Sequence, residues 1–289
     1  MDSISTPKSF SRRLLARLSR ETSSGRFIPE MDGLRFAAIA MVVVFHLNGY
    51  LTAKAPSPEY ALAAHSDWLA QFAVVGFRGV ELFFVISGFI LGLPFAAHHI
   101  AGAPRVSLSK YYLRRLTRLE PPYFVTIFAL LTLSFATHKH TAALVPHLAA
   151  SLCYLHNLIY AAPSTVLGVA WSLEIEVQFY VLVPLLTLLF VVKQRRLRRC
   201  VLLAAITAIV AAQALYLPHH PRLSLSILAY LQFFLAGFLV ADIFLVDWQE
   251  SPQRSVYWDF AALAGWPLMF AVLRSESLTH WIFPYLLVS

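Results

Sequence analysis

Two ionisable side chains lie inside one long apolar run near the start of the chain. Arg35 and His46 are eleven residues apart in that run, and at about 100° per residue they fall on one helix face, roughly 16 Å apart along the axis. Arg35 alone is explained by a side chain that reaches the lipid headgroups. For His46, a functional role and a hydrogen bond to a neighbouring helix are equally good interpretations, because it lies several residues inside the run.

A second apolar run, residues 168–192, carries two glutamates on different faces. Ser172, Glu176 and Tyr180 recur every four residues and predict one polar stripe on a helix. Glu174 falls about 160° from that stripe, so the two glutamates cannot face the same partner. We expect Glu174 to reach headgroup water near the outer end, whereas the deeper Glu176 needs a partner inside the protein.

Depth in the membrane links His46 to Glu176. Counted from the outer ends of their runs, His46 lies roughly 9 Å deep and Glu176 roughly 12 Å deep. An imidazole and a carboxylate at one level in a low dielectric form a general base and the group that orients it. A structural ion pair is the alternative interpretation.

Three further features of the apolar runs have simpler interpretations. Glu81 lies near the outer end of its run, where it bonds the Arg78 region or supports the site. Gly88 and Gly92 form a small-residue face that favours close packing of a neighbouring helix. Trp171 alone fits the aromatic belt of a membrane interface.

An arginine cluster precedes the third apolar run. Arg114 and Arg118 share a helix face, and Arg115 lies beside Arg118 three residues away. An anchor that fixes membrane topology is the simpler interpretation. The functional interpretation is a phosphate clamp, since arginine forks suit phosphates. We interpret the basic segment 193–199 as an anchor only.

The composition of the chain decides which elements must carry these residues. Of 289 residues, 58% are hydrophobic and only 13% are charged, and the mean hydropathy is +0.66. Soluble domains average about 45–50% apolar residues and about 25% charged ones. These values exclude a disordered chain, a collagen, a coiled coil and an ordinary cytosolic enzyme. They predict an all-α, polytopic transmembrane bundle.

The net charge of +8 does not indicate nucleic acid. Sixteen of the 23 Lys and Arg residues lie in three segments, residues 1–32, 98–118 and 193–199, which long apolar runs separate. This is the pattern of cytoplasmic loops in membrane proteins, so the N-terminus is expected in the cytoplasm. The two isolated cysteines exclude a disulfide framework and a zinc site of usual spacing.

Apolar runs of span length predict about seven to eight crossings. Two basic segments on one side require an even number of crossings between them, so one of the three runs between 98–118 and 193–199 does not cross. The most polar of the three, 144–161, is therefore expected to be a re-entrant or interfacial helix. The predicted spans are 33–52, 77–97, 119–136, 168–192, 200–217, 225–247 and 257–273, with an eighth from 281 that the chain end interrupts.

Taken together, these segments resemble the membrane-bound acyltransferase family 3, which includes bacterial O-antigen and exopolysaccharide O-acetyltransferases. The resemblance covers about residues 28–247. It rests on four blocks in order, DGLRFAAIAMVVVFHLNGY, GVELFFVISGFILG, YYLRRLTRLEPPY and WSLEIEVQFYVLVPLL, and on the later stretch LQFFLAGFLVA.

The resemblance implies transfer of an acyl group, usually acetyl, from cytoplasmic acyl-CoA to a hydroxyl of a glycan or other acceptor. Family positions match Arg35, His46, Glu81, Arg115, Arg118, Trp171, Ser172, Leu173 and Glu176. Two departures stand out. Many relatives have a second carboxylate where this chain has Val177, and the family usually has about ten spans.

The resulting hypothesis divides the chain into a basic cytoplasmic segment, 1–32, and a membrane acyltransferase domain, 33–289, that stops within its eighth span. Acyl-CoA is the donor substrate, and no permanently bound cofactor, metal or nucleic acid is expected. The predicted location is the bacterial inner membrane, with the lipid bilayer and a hydroxyl-bearing acceptor as partners. The residues assigned are Arg35, His46 and Glu176 for catalysis, Arg114, Arg115 and Arg118 for CoA phosphates, and Glu81, Trp171, Ser172 and Tyr180 in support.

In this hypothesis His46 takes the acceptor's proton and Glu176 orients the imidazole. A covalent variant, in which His46 is itself acylated, stays open. So do two other functions, a transporter or flippase for a lipid-linked glycan and an inactive truncated relative.

Overall fold

The structure, a computed structural model, describes residues 28–54, 73–137 and 144–248, together with residues 256, 260, 263 and 264. Within these ranges the regular elements are helices, and no strand occurs, which confirms the all-α prediction. The predicted span from 281 lies outside the described residues, as do nearly all of the basic segment 1–32 and most of the predicted span 257–273.

Eight α-helices follow one another in the described ranges. They are α1 (Pro29–Lys54), α2 (Gly79–Ala101), α3 (Leu108–Ala136), α4 (Leu144–Leu152), α5 (His156–Tyr160), α6 (Trp171–Leu186), α7 (Arg195–Tyr216) and α8 (Leu231–Asp247). Short 3₁₀ turns extend or join them at Gly76–Arg78, Gly168–Ala170, Thr187–Val191, Leu217–His219, Pro221–Leu225 and Ile227–Ala229.

Five described helical segments are long and apolar enough to cross a membrane, and they match five of the predicted spans. The sixth predicted span, 225–247, instead folds as 3₁₀ turns followed by the 17-residue α8, which is at the short end of span lengths. The five segments are Glu30–Lys54, Ala73–Ala101, Leu108–Ala136, Gly168–Val191 and Arg195–His219.

The ambiguous segment 144–161 contains no helix of span length. It folds as α4, with nine residues, and α5, with five. Nine residues of α-helix extend only about 13 Å, whereas the hydrocarbon core is about 30 Å thick. Neither helix is long enough to span the hydrocarbon core, and the segment contains two short helices where one was expected. That it does not cross the membrane stays a prediction.

The centre of the bundle is the contact between α2 and α8, and glycines make it close. A Cβ added at Gly88 would collide with the carbonyl oxygen of Phe234, and one at Gly92 would lie 2.7 Å from the Phe238 ring. On α8, Gly237 plays the same part, since a Cβ added there would collide with the carbonyl oxygen of Val85. The small-residue face predicted on α2 is therefore a helix-packing surface.

An ion-pair network joins α7 to α8 at the end of the bundle that carries the basic segments, here called the basic end (residues 105–118 and 193–199). Arg198, whose side chain is 2% exposed, pairs with the fully buried Asp242. Arg199 bridges Asp242 and Asp247 at 2.6 Å each. The segment 193–199 thus fixes one helix on another, beyond the anchor role expected from its charge.

Candidate active site

Glu176 is held by two hydroxyl groups from two helices. Tyr180, one turn later on α6, donates its hydroxyl to Glu176 Oε1 at 2.6 Å, so the predicted polar stripe forms a hydrogen bond. Ser87 of α2 donates its Oγ hydroxyl to the same oxygen at 2.8 Å. Among the described residues no donor bonds the other oxygen, Oε2. The carboxylate therefore keeps one oxygen free to accept a proton or a hydrogen bond.

Glu176 lines a cavity of about 510 Å³ between α1, α2, α3 and α6. The wall is largely apolar, with side chains such as Phe83, Ile90 and Leu173. Cationic, hydroxyl and carboxylate groups converge on it from all four helices. Its charged and hydroxyl-bearing lining consists of Arg35, Ser87, Arg115, Arg118, Tyr123, Thr126, Glu176 and Tyr180.

The position of Arg115 follows from a proline in α6. Pro184 lacks the N–H that would bond the Tyr180 carbonyl four residues earlier, and the Tyr111 hydroxyl donates to that carbonyl at 3.2 Å instead. This bond sets α3 against α6. Arg115, one turn after Tyr111, then lies between two aromatic rings, 6.0 Å from Tyr111 and 5.9 Å from Tyr180. Its Nε is buried and has no acceptor among the described residues.

The structure separates the three arginines that were predicted to act together. The basic segment is the first part of α3 itself, and Arg115 and Arg118 lie on the helix face that continues through Pro122 and Thr126 along the cavity wall. Arg114 lies about 100° around the helix from Arg115, although only about 40° from Arg118. It is exposed, and its Nε donates to the Lys110 carbonyl at 3.1 Å. Arg114 is thus placed outside the predicted clamp.

Arg35 reaches the cavity, but His46 does not. Arg35 lies beside Asp32, with 3.1 Å between Nη1 and Oδ1, and its side chain is 22% exposed. His46 is exposed, and its Nδ1 lies 2.8 Å from the Val42 carbonyl one turn earlier. Among the described residues no hydrogen bond or ion pair joins His46 to Glu176, so the pair expected from the sequence is not formed in this structure.

The antiparallel contact of α1 with α2 explains this difference. Gly79 packs against Met41 and Val42, and Gly76 packs against Phe45, the neighbour of His46. Ser87, which marks the level of Glu176, lies eleven residues beyond Gly76, or about 16 Å along α2. The sequence-based depths of His46 and Glu176 were counted from the ends of apolar runs, which placed the two residues at one level. The observed register of α1 against α2 instead places Arg35 nearer to the level of Glu176.

Glu174 is buried, which corrects the expectation that it reaches headgroup water. Its side chain is fully covered, and Oε2 accepts the backbone N–H of Asn157 at 2.9 Å. Asn157 also donates its side-chain amide to the Trp171 carbonyl at 2.9 Å. The first turn of α5 therefore covers the start of α6. As predicted, Glu174 and Glu176 face different partners.

Of the residues predicted to support the site, Tyr180 lines the cavity and the other three do not. Glu81 is buried and forms an ion pair with Arg78 at 2.7 Å, the simpler of its two expected roles. The ring of Trp171 packs on the ring of Tyr230, with 5.5 Å between centroids. Ser172 donates to the Val169 carbonyl of its own helix start at 3.5 Å. None of the three lines the cavity in the described part of the chain.

Ser87 is the site residue that sequence reasoning missed. It lies in the block GVELFFVISGFILG as a single hydroxyl inside an apolar run, which was a usable signal. Its partner is 89 residues away on another helix, and no spacing rule reaches that far. No group of three or more His, Cys, Asp or Glu side chains among the described residues could hold a metal ion.

Comparison with known proteins places this arrangement in a family. A family model described as an acyltransferase domain matches residues 28–289. A Staphylococcus aureus (strain COL) protein named "Putative O-acetyltransferase SACOL0978" is 31% identical over 183 residues, which cover 59% of this chain and 26% of that protein. O-acetyltransferase OatA of Staphylococcus aureus (strain NCTC 8325 / PS 47) is 29% identical over 172 residues, which cover 56% of this chain and 25% of OatA.

The chain thus aligns with about a quarter of the length of the curated relatives that it matches. No solved structure matches it. Because the family model covers most of the chain, from the start of α1 onward, this protein belongs to the acyltransferase 3 family.

Proposed function

We propose that this protein transfers an acyl group, in particular acetyl, from acyl-CoA to a hydroxyl of a carbohydrate or other acceptor. The observation that carries the proposal is the placement of Glu176 in one cavity with Arg35, Arg115 and Arg118. The cavity is within the range of about 300–1,000 Å³ that is usual for small-molecule sites. The relatives named O-acetyltransferases support the same class of reaction.

The arginines are the groups that recognise the donor in this proposal. CoA carries phosphates, and guanidinium groups bind phosphate oxygens through paired, charge-assisted hydrogen bonds. Arg115 is the strongest candidate because its buried Nε–H donates to no acceptor among the described residues. Arg118 lies one turn further along the same wall. With the basic end in the cytoplasm, as its charge favours, acyl-CoA enters from that side of an inner membrane.

Glu176 is the proposed acid–base group. Ser87 and Tyr180 fix one carboxylate oxygen, so the carboxylate can accept the acceptor's proton without first reorienting. Arg35 lies on the same cavity and stabilises the negative charge that develops on the carbonyl oxygen during acyl transfer. His46, which was expected to be the base, has no such placement, and its catalytic role stays a prediction.

Transfer of a labelled acyl group tests the proposal. Membranes that contain the chain are given acetyl-CoA with a labelled acetyl group and a polysaccharide extract as acceptor. Label should move to the polysaccharide with the wild type, and Glu176→Gln should slow it by about 10²- to 10⁴-fold. Glu30→Gln, an exposed position on α1, is the matched control and should leave the rate unchanged.

Two results would overturn parts of this proposal. Wild-type rates with Glu176→Gln, at equal protein levels, would remove Glu176 from the chemistry. Movement of unmodified glycan across the membrane, with no label on it, would support a transporter or flippase instead.

A further inference from the structure

Ser87 is placed as a nucleophile would be. Its hydroxyl donates to Glu176 Oε1 at 2.8 Å, and the Tyr180 hydroxyl fixes the same oxygen at 2.6 Å. A hydroxyl, a base within hydrogen-bond distance and a third group that orients the base form the arrangement of an activated nucleophile. Ser87 also lines the cavity together with two arginines, Arg35 and Arg115.

The direction of the Ser87 hydrogen bond argues against a purely local role. A hydroxyl in an apolar helix can bond the carbonyl one turn earlier in its own helix. Thr126, Ser134 and Thr207 do so in this protein, at 2.8 to 2.9 Å. Ser87 instead donates across to α6, which directs its oxygen toward the carboxylate and the cavity.

We propose that Ser87 carries the acyl group as an O-acyl ester between donor and acceptor. This inference rests on the proposed function. Ser87 Oγ attacks the thioester carbonyl of acyl-CoA, and the C–S bond breaks. The Oγ proton passes to Glu176 and then to the departing sulfur, so the products are acyl-Ser87 and CoA with a free thiol.

The second half-reaction restores the serine. The acceptor hydroxyl attacks the ester carbonyl while Glu176 takes its proton, the bond from the acyl carbon to Ser87 Oγ breaks, and Glu176 returns the proton to Oγ. In both steps Arg35 faces the negative charge on the carbonyl oxygen.

The proposed route has two separate steps. A covalent carrier lets CoA leave before the acceptor enters. The kinetics should accordingly be ping-pong.

The test is to trap the acyl-enzyme. The purified full chain is given labelled acetyl-CoA without acceptor, denatured, digested and analysed by mass spectrometry. The wild type should carry an ester on the peptide that contains Ser87, and added polysaccharide extract should remove it. Ser87→Ala should lower bound label at least about tenfold and slow transfer by about 100-fold or more. Ser134→Ala, a helix hydroxyl bonded to its own backbone, should keep full labelling.

The outcomes separate this inference from the proposed function. Transfer to polysaccharide at the wild-type rate by Ser87→Ala would overturn the carrier role and leave the acyltransferase proposal standing. Label on His46, or on any residue other than Ser87, would do the same. A wild type that neither takes up label nor transfers it would overturn both. Ser87→Cys provides a second check, since a carrier at this position should then give a thioester that neutral hydroxylamine cleaves.

Discussion

Arg114 and Arg115 are adjacent in the chain, yet the structure gives them different surroundings. Arg115 lines the cavity, with a buried Nε that has no acceptor among the described residues. Arg114 is exposed and bonds the Lys110 carbonyl. Replacing each by alanine removes one positive charge from almost the same place on α3. The pair therefore separates a specific donor contact from the general effect of charge at the basic end.

The expected magnitudes differ clearly. A hydrogen bond to a charged group contributes about 1.5–3 kcal/mol, and 1.4 kcal/mol corresponds to a factor of ten. Arg115→Ala should therefore weaken CoA binding by about 10- to 100-fold. Arg114→Ala removes only an exposed charge, worth about 1 kcal/mol or less, so its effect should stay below about fivefold.

Equilibrium dialysis of labelled CoA against the detergent-solubilised chain measures both constants at one salt concentration. Because Arg115 also contacts two tyrosine rings, the thermal midpoint of each variant is recorded as a folding control. Arg115→Lys should bind with intermediate affinity, since lysine keeps the charge and loses the fork. Equal losses in Arg114→Ala and Arg115→Ala, or none in Arg115→Ala, would refute the reasoning.

Three further predictions concern the scaffold that holds the site, and thermal unfolding in detergent checks them all. Asp242→Asn should lower the free energy of unfolding by about 3–5 kcal/mol, because it leaves the buried Arg198 without its carboxylate. Asp247 is more exposed, so Asp247→Asn should cost about 1 kcal/mol or less. Equal losses in the two variants would contradict the buried Arg198–Asp242 pair as the main link between α7 and α8. Gly88→Val should destabilise by about 1–3 kcal/mol or more, since α2 must move away from α8; an unchanged midpoint would contradict that packing. Burial lowers the pKa of His156, in α5, from 6.5, so the unfolded chain binds more protons and stability should fall as pH drops below about 6.5. A His156→Gln variant with the same pH slope would show that this histidine is not the cause.

Much of the fold could be predicted because it depends on local pattern. Apolar runs of span length predicted five of the long helices, and counting basic segments singled out 144–161, which contains only short helices. The small-residue face of α2 predicted its close packing. The four-residue repeat in α6 predicted a polar stripe, and within it Tyr180 bonds Glu176, since residues four apart are neighbours on a helix surface.

The errors lie where one helix meets another. The levels of His46 and Glu176 depend on how far α1 slides along α2, and hydropathy does not fix that register. Glu174 is buried because α5 covers it. No pattern within α6 indicates that contact. The bond from Ser87 to Glu176 joins two helices through a single hydroxyl. Such contacts follow from tertiary packing, and a periodicity argument within one helix cannot supply them.

The location of the reacting acyl group tests the central claim most directly. A non-hydrolysable acyl-CoA analogue with a photoreactive acyl chain is bound to the full chain and crosslinked, and the modified peptides are identified by mass spectrometry. The account predicts crosslinks to the cavity walls of α2, α3 and α6, around Ser87 and Glu176, and their loss when unlabelled acyl-CoA competes. Crosslinks confined to the face of α1 around His46, with none in the cavity, would contradict it.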